Sequence, residues 1–317
     1  MQNVSIAKQW FYRFKPLIPR RTQLWLRRKR ANRIRNRVKF SWPILHLEVH
    51  KPHQWQGWPQ GKQFSVVLSH DVEWATGRDR VEAIFNAEQE LGFRSCFNFV
   101  PERYNTSQAL ITKLQAHNFE VGVHGLKHDG KLYRNHEIFT QRVPKINAYL
   151  QKWNAHGVHT PARHHQLDWN HAWDVSYVSS TFDTDPFEPQ SDGVKTLFPF
   201  CVADPNSNST YIELPYTLPQ DHCLYVILQE RTIDIWKKKL DWIAQHGGMA
   251  FVITHPDYMN IGEQPTGLEE YPIDLYKELL NYIKTKHAGA YWQALPHEVA
   301  DFWRKSNVQT QFDHIGQ

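Results

Sequence analysis

The stretch FSVVLSHDVEW, residues 64 to 74, is an apolar run that ends in His70, Asp71 and Glu73. On an extended segment, residues two apart project to the same side, so Asp71 and Glu73 face one pocket while Val72 faces away. Further on, HGLKH places His124 and His128 four residues apart, which puts both imidazoles on one side of a helical turn and suits them to chelate one divalent ion. In a chain with 19 histidines one such pair is expected by chance, and alone it reads first as two solvated or capping side chains. The carboxylates alter that balance. Two acids and two histidines supply three protein ligands, an open position for water and one carboxylate left over as a base. A helix-start role is reasonable for Glu73 but poor for Asp71, which is still attached to the apolar strand.

These residues need elements to hold them, and the surrounding chain alternates strand and helix patterns. FSVVLSH reads as a buried strand, and RDRVEAIFNAEQELG as a helix with Val81, Ile84, Phe85 and Leu91 on one side and Gly92 closing it. FRSCFNFV, FEVGVHG, GVHTPAR, SYVSSTFD, YIELPYTL, MAFVITHP and AYWQALP read as further strands. TSQALITKLQAHN, residues 135–153, DIWKKKLDWIAQHGG, IDLYKELLNYIKTKH and HEVADFW read as helices. This alternation predicts an α/β fold, a distorted barrel of about seven parallel strands with outer helices, ahead of a doubly wound open sheet. His159, Asp183 and His255 then fall, like Asp71, Glu73 and His124, at the carboxyl ends of strands, where such folds bind ligands. The connection DTDPFEPQSDGVKTLFPFCVADPNSNST reads as one long substrate-facing loop.

The 317 residues divide into a basic N-terminal arm (1–45), a Pro- and Trp-rich linker (46–62), the barrel (63–305) and a polar tail (306–317). Residues 1–40 hold 13 of the 37 Lys and Arg and no acid, leaving 24 basic against 32 acidic residues in the remainder, an acidic body with a basic arm. Three cysteines without a CxxC pair indicate neither a disulfide framework nor a thiolate zinc site. The arm lacks the apolar core of a secretory signal, and no run of about 18 apolar residues exists, so a cytoplasmic location is expected. Leu24, Ala31, Ile34 and Val38 recur at roughly helical spacing. Residues 13–39 therefore read as a basic helix that could lie on an anionic membrane surface at the inner membrane face, or pack on the body through Trp25 and Leu26. Nucleic acid is a poor partner, since no reading domain accompanies the arginines.

With these motifs in place the chain resembles the polysaccharide deacetylase family, carbohydrate esterase family 4, from about Phe64 to Pro256 and more weakly to Trp303. LSHDVE resembles the family's first motif in its variant with one residue between the acids, with Glu73 where a second Asp is usual. HGLKH matches the second at both histidines. HTPA keeps the proline of the third at Pro161, but His159 replaces its arginine and Ala162 its aromatic residue; His159, Arg163 or His164 is left to supply the cation. ITHP matches the fifth. The resemblance implies a hydrolase with one divalent metal, zinc before others, on Glu73, His124 and His128. It implies Asp71 as general base, His255 as general acid, the Ala162 amide in the oxyanion site with His159 in support, and Asp183 tuning His255. The implied substrate is an N-acetylated amino sugar in a polysaccharide or a lipid-linked glycan. A deformylase or ureide hydrolase on the same barrel, or a non-catalytic glycan-binding protein, are the alternatives. Trp169, Trp173 and Phe187, near the motif loops, are candidate sugar-stacking faces.

Overall fold

The computed structural model describes residues 19–44, 49–188, 192–262 and 266–306. Strand β1 (Phe64–Val72) is buried along all nine residues, which explains why it reads as a continuous apolar run and not as an alternation. Strand β8 (Met249–Thr254) pairs with it in parallel from Ser65 to His70. Its other edge is shared: β11 (Tyr291–Ala294) lies beside Phe64–Val67, and β2 (Cys96–Phe99) beside Ser69–Val72. The sheet continues in parallel through β3 (Glu120–Val123), β4 (Gly157–His159), β5 (Tyr177–Ser179) and β7 (Thr210–Glu213). These eight parallel strands curl into a half-barrel. Beyond β7 the amides of Thr217 and Leu218 donate to the Phe251 carbonyl at 3.2 Å, bringing the far end of the curl to β8. A short parallel pair, β9 (Met259–Asn260) and β10 (Tyr271–Pro272), lies outside this sheet.

The connection read as one loop differs from expectation. It contains β6 (Phe200–Ala203), antiparallel to β7, because Asp204 and Ser207 form a turn that the polar DPNSNST composition conceals.

Helices cover the outside: α2 (Ala75–Leu91), α3 (Gln108–Ala116), α4 (His136–Trp153), α5 (Asp234–His246), α6 (Asp274–Lys286) and α7 (Pro296–Lys305). Their limits have local causes. Gly92, at φ +80, ends α2. The side chains of Ser107 and Asn135 accept from the amides of Leu110 and Ile138 and so cap α3 and α4. Preceding the barrel, α1 (Arg20–Val38) packs on it through Leu24 and Ala31, with Arg28 donating to the Val226 carbonyl at 3.1 Å. Trp25 and Leu26 point outward, so the helix does not dock through them. No helix among the described residues is long and apolar enough to cross a membrane.

Candidate metal centre and acid–base groups

The carboxyl ends of β1, β3, β4 and β8 converge on one place. Asp71, on the last turn of pleat in β1, is buried and held by three donors. Its Oδ1 accepts from Asn98 at 3.1 Å and faces His159 Nδ1 at 3.0 Å; its Oδ2 accepts from Arg163 at 2.9 Å. Burial raises the Asp71 carboxyl, but His124, His159 and Arg163 more than offset this and hold it well below its ordinary value. Asp71 is therefore an ionised carboxylate at neutral pH.

Of His159, Arg163 and His164, Arg163 is the one that sets a guanidinium on Asp71. The chain reverses through Ala162 (φ +55) and Arg163 (φ +53), and this turn carries the buried guanidinium back under Asp71. His159 contacts the same carboxylate, whereas His164 lines a shallow cleft with His128, Tyr133 and Arg142. Ala162 is exposed beside this turn.

Glu73, His124 and His128 form a cluster that could hold a metal ion, with one potential ligand atom from each lying within 4.8 Å of the others. His124 Nδ1 is hydrogen-bonded to the His159 carbonyl at 3.1 Å, so Nδ1 carries the proton and Nε2 keeps its lone pair. Burial takes the His124 imidazole down to about 3, leaving it in the neutral form that ligates metals. His128, in the left-handed region at φ +49, directs Nε2 to 3.1 Å from Glu73 Oε1; that buried nitrogen makes no hydrogen bond. A buried orphan nitrogen, a second imidazole with its lone pair free and an ionised carboxylate fit one divalent ion of the zinc type. Burial raises the Glu73 carboxyl, and the surrounding histidines, His128 foremost, bring it well below its usual range.

Glu73 is also held from behind. Its amide donates to Asp257 Oδ2 at 2.7 Å, and the amides of Trp74 and Gly77 donate to Oδ1 at 2.9 and 3.0 Å. Gly77 is required here, since a Cβ at that position would stand 2.4 Å from Asp257 Oδ2. Tyr258 donates its hydroxyl to Glu73 Oε2 at 3.2 Å, leaving Oε1 toward the histidines.

His255 enters from the end of β8, with Nε2 4.0 Å from Glu73 Oε1. Its Nδ1 lies 2.7 Å from Asp221 Oδ1, and its amide donates to Asp221 Oδ2 at 2.8 Å. Burial lowers this imidazole, but Asp221 and then Glu73 outweigh burial and push it up to about 10, so it is protonated at neutral pH. The orienting acid is thus Asp221 and not Asp183. Asp183 is buried against Lys239, which also donates to the Pro43 carbonyl, and burial raises its carboxyl despite that partner.

Six of the eight residues singled out from the sequence therefore meet at one centre: Asp71, Glu73, His124, His128, His159 and His255. Asp221, Asp257, Tyr258 and Asn98 were not among them. Of these, only Asp257 and Tyr258 carried a signal, being next to ITHP.

No family model and no curated protein matches the sequence. Solved structures do match in fold. A protein described as a polysaccharide deacetylase from Mycobacterium smegmatis superposes with a TM-score of 0.64 at 13% identity, covering 86% of this chain and all (100%) of its own. The Puue allantoinase gives 0.63 at 13% identity, over 80% of this chain and 94% of its own. A protein described as a polysaccharide deacetylase from Pseudomonas aeruginosa PAO1 gives 0.56 at 14%, over 79% and 94%. The chain has the curled α/β barrel of these proteins.

Proposed function

We propose that this chain is a divalent-metal-dependent amide hydrolase that removes the N-acetyl group of an amino sugar in a polysaccharide or lipid-linked glycan. The observation that carries the reading is the convergence of Glu73, His124 and His128 within 4.8 Å of one another, with an ionised Asp71 and a protonated His255 beside them. The fold shared with proteins described as deacetylases supports it.

Glu73, His124 and His128 would hold the ion, with zinc the best match to a His₂Glu set, and it would supply Lewis-acid activation of water and of the acyl carbonyl. Asp71 takes the proton from the attacking water; Arg163, His159 and Asn98 fix its two oxygens for that transfer. The Ala162 amide donates to the oxyanion as it forms. His255, kept protonated by Asp221, delivers its Nε2 proton to the departing amine. Residues 63–305 constitute the catalytic unit. The outer face of α1, with Arg21, Trp25, Lys29, Arg30 and Arg33 exposed, rests on anionic lipid at the cytoplasmic membrane face. Retention by phosphatidylserine vesicles but not phosphatidylcholine vesicles checks that placement.

The deciding experiment couples metal analysis of the purified protein to an acetate-release screen on N-acetylated glycans. Stoichiometric divalent metal with acetate release is expected; a metal-free protein releasing nothing overturns the reading. The fold likeness to an allantoinase favours one alternative, ureide hydrolysis, which would yield a ring-opened ureide and no acetate.

A further inference from the structure

Three aromatic residues that the sequence places near the motif loops are packed among neighbouring rings. Trp173 is buried, Trp169 packs on Tyr133, His136 and Phe139, and Phe187 meets Trp42 edge-on. Trp74 is different. It follows Glu73 directly, 52% of its surface is exposed, and its amide is fixed by Asp257 Oδ1. The Arg103 guanidinium lies 3.2 Å from the centre of its ring. Arg103 also donates to the His128 carbonyl at 2.8 Å.

The indole is therefore immobilised between the two segments that carry Glu73 and His128, with one face covered by the guanidinium. A stacked guanidinium orders an aromatic ring and restricts its motion, so the cost of fixing the ring on binding is already met. The backbone at Trp74 is extended (φ −132, ψ 169), which turns its side chain away from that of Glu73 and offsets the indole from the ligand atoms. A pyranose presents a face of C–H groups to such a ring while its hydroxyls remain wet.

Resting on the deacetylase reading, we infer that the open face of Trp74 is a sugar subsite, stacking the ring adjacent to the one whose N-acyl group is cleaved. The preferred substrate is accordingly a glycan of at least two rings over a free amino sugar.

The test uses the full chain, metal-loaded, with the tetramer and the monomer of whichever N-acetylated sugar releases acetate. Trp74→Ala and Trp74→Leu should raise KM for the tetramer about three- to tenfold with kcat within about twofold, and leave the monomer's KM unchanged. Trp74→Phe should retain most of the affinity. Calorimetric binding of the tetramer to an Asp71→Asn background, with and without Trp74→Leu, should show the same weakening without turnover. Unchanged tetramer affinity in variants with normal metal content overturns the subsite. An equal loss on the monomer overturns the assignment to the adjacent ring. A wild-type protein that releases no acetate from any glycan overturns the deacetylase reading instead, and does so before any variant is made.

Discussion

Two buried histidine–carboxylate pairs lie on the central strands, and they differ in one respect. His70, on β1, is satisfied at both nitrogens: Nδ1 lies 2.7 Å from Thr254 Oγ1, and Nε2 lies 2.9 Å from Glu88 Oε1. Glu88 is further bound by Ser95 and Tyr276. His255, one residue beyond β8, uses Nδ1 on Asp221, while its Nε2 makes no hydrogen bond among the described residues and faces the ligand cluster. Both pairs are buried and both contain a carboxylate, so neither burial nor pairing separates a structural histidine from a reactive one. In these two pairs, an uncommitted nitrogen that faces the ligand cluster does. The same criterion selects His124 and His128, each with a ring nitrogen left for a ligand.

The largest expected effects fall on the side with free valence. Asp71→Asn should keep its metal and lose kcat by about a hundred- to ten-thousandfold, the usual worth of a positioned acid–base group. Glu73→Ala should lose the metal itself. Metal content measured beside turnover checks both, and the opposite pattern would exchange the roles of the two acids. The distinction matters because both acids sit at the end of β1, two residues apart.

Asp221→Asn is expected to act next most strongly, by about ten- to a hundredfold at pH 8. Asp221 raises His255 and burial lowers it, so removing the Asp221 charge lets the imidazole fall from about 10 toward or below its ordinary 6.5. In the wild type the alkaline limb of kcat should therefore lie near pH 10, and in the variant near or below neutrality. Linkage gives the same sign for stability. A folded-state value raised above the unfolded one contributes stability that is full below about 6.5 and lost as pH rises through about 10, and the variant should lack that slope.

These two predictions mark where the sequence was legible. Asp71, Glu73, His124 and His128 follow from short-range geometry, two residues along a strand or four along a turn, and β1 announces itself by its apolar run. Asp221 lies 34 residues from His255, and Asp257 lies 184 residues from the Glu73 amide that it binds. Nothing local records such partners, because the pairing of β8 with β1 and the approach of the chain beyond β7 to β8 bring them together. Arg163 was readable only as one cation among three; what selects it is the left-handed turn at 162–163, a conformation that neither alanine nor arginine advertises. Nothing in the sequence singles out Trp74 among 13 tryptophans; its exposure and the Arg103 guanidinium on its ring come from the fold.

Tyr258→Phe should have a smaller effect, confined to the metal. Its hydroxyl occupies Glu73 Oε2 and so aims Oε1 at the histidines. Groups that orient a ligand in this way are typically worth about tenfold or more in metal affinity. Chelator competition should show that loss, with little change in kcat once metal is saturating.

The smallest catalytic effect is expected at His70, and it is the sharpest trial of the comparison. His70→Ala removes an imidazole that is as buried as His255 and paired as closely with a carboxylate. It strands Glu88 and Thr254, so stability should fall by about 1–3 kcal/mol, read as a lower midpoint in denaturant. Metal affinity and kcat per folded molecule should be unchanged, because neither nitrogen faces the cluster. Glu88→Gln should give a milder loss of the same kind, since the amide oxygen still accepts at one of the two positions that Tyr276 and Ser95 occupy. If either variant instead shifts the alkaline limb of the rate profile, the network behind β1 is coupled to His255 through Thr254, the residue that precedes it, and a free nitrogen is no longer a sufficient mark of the reactive pair.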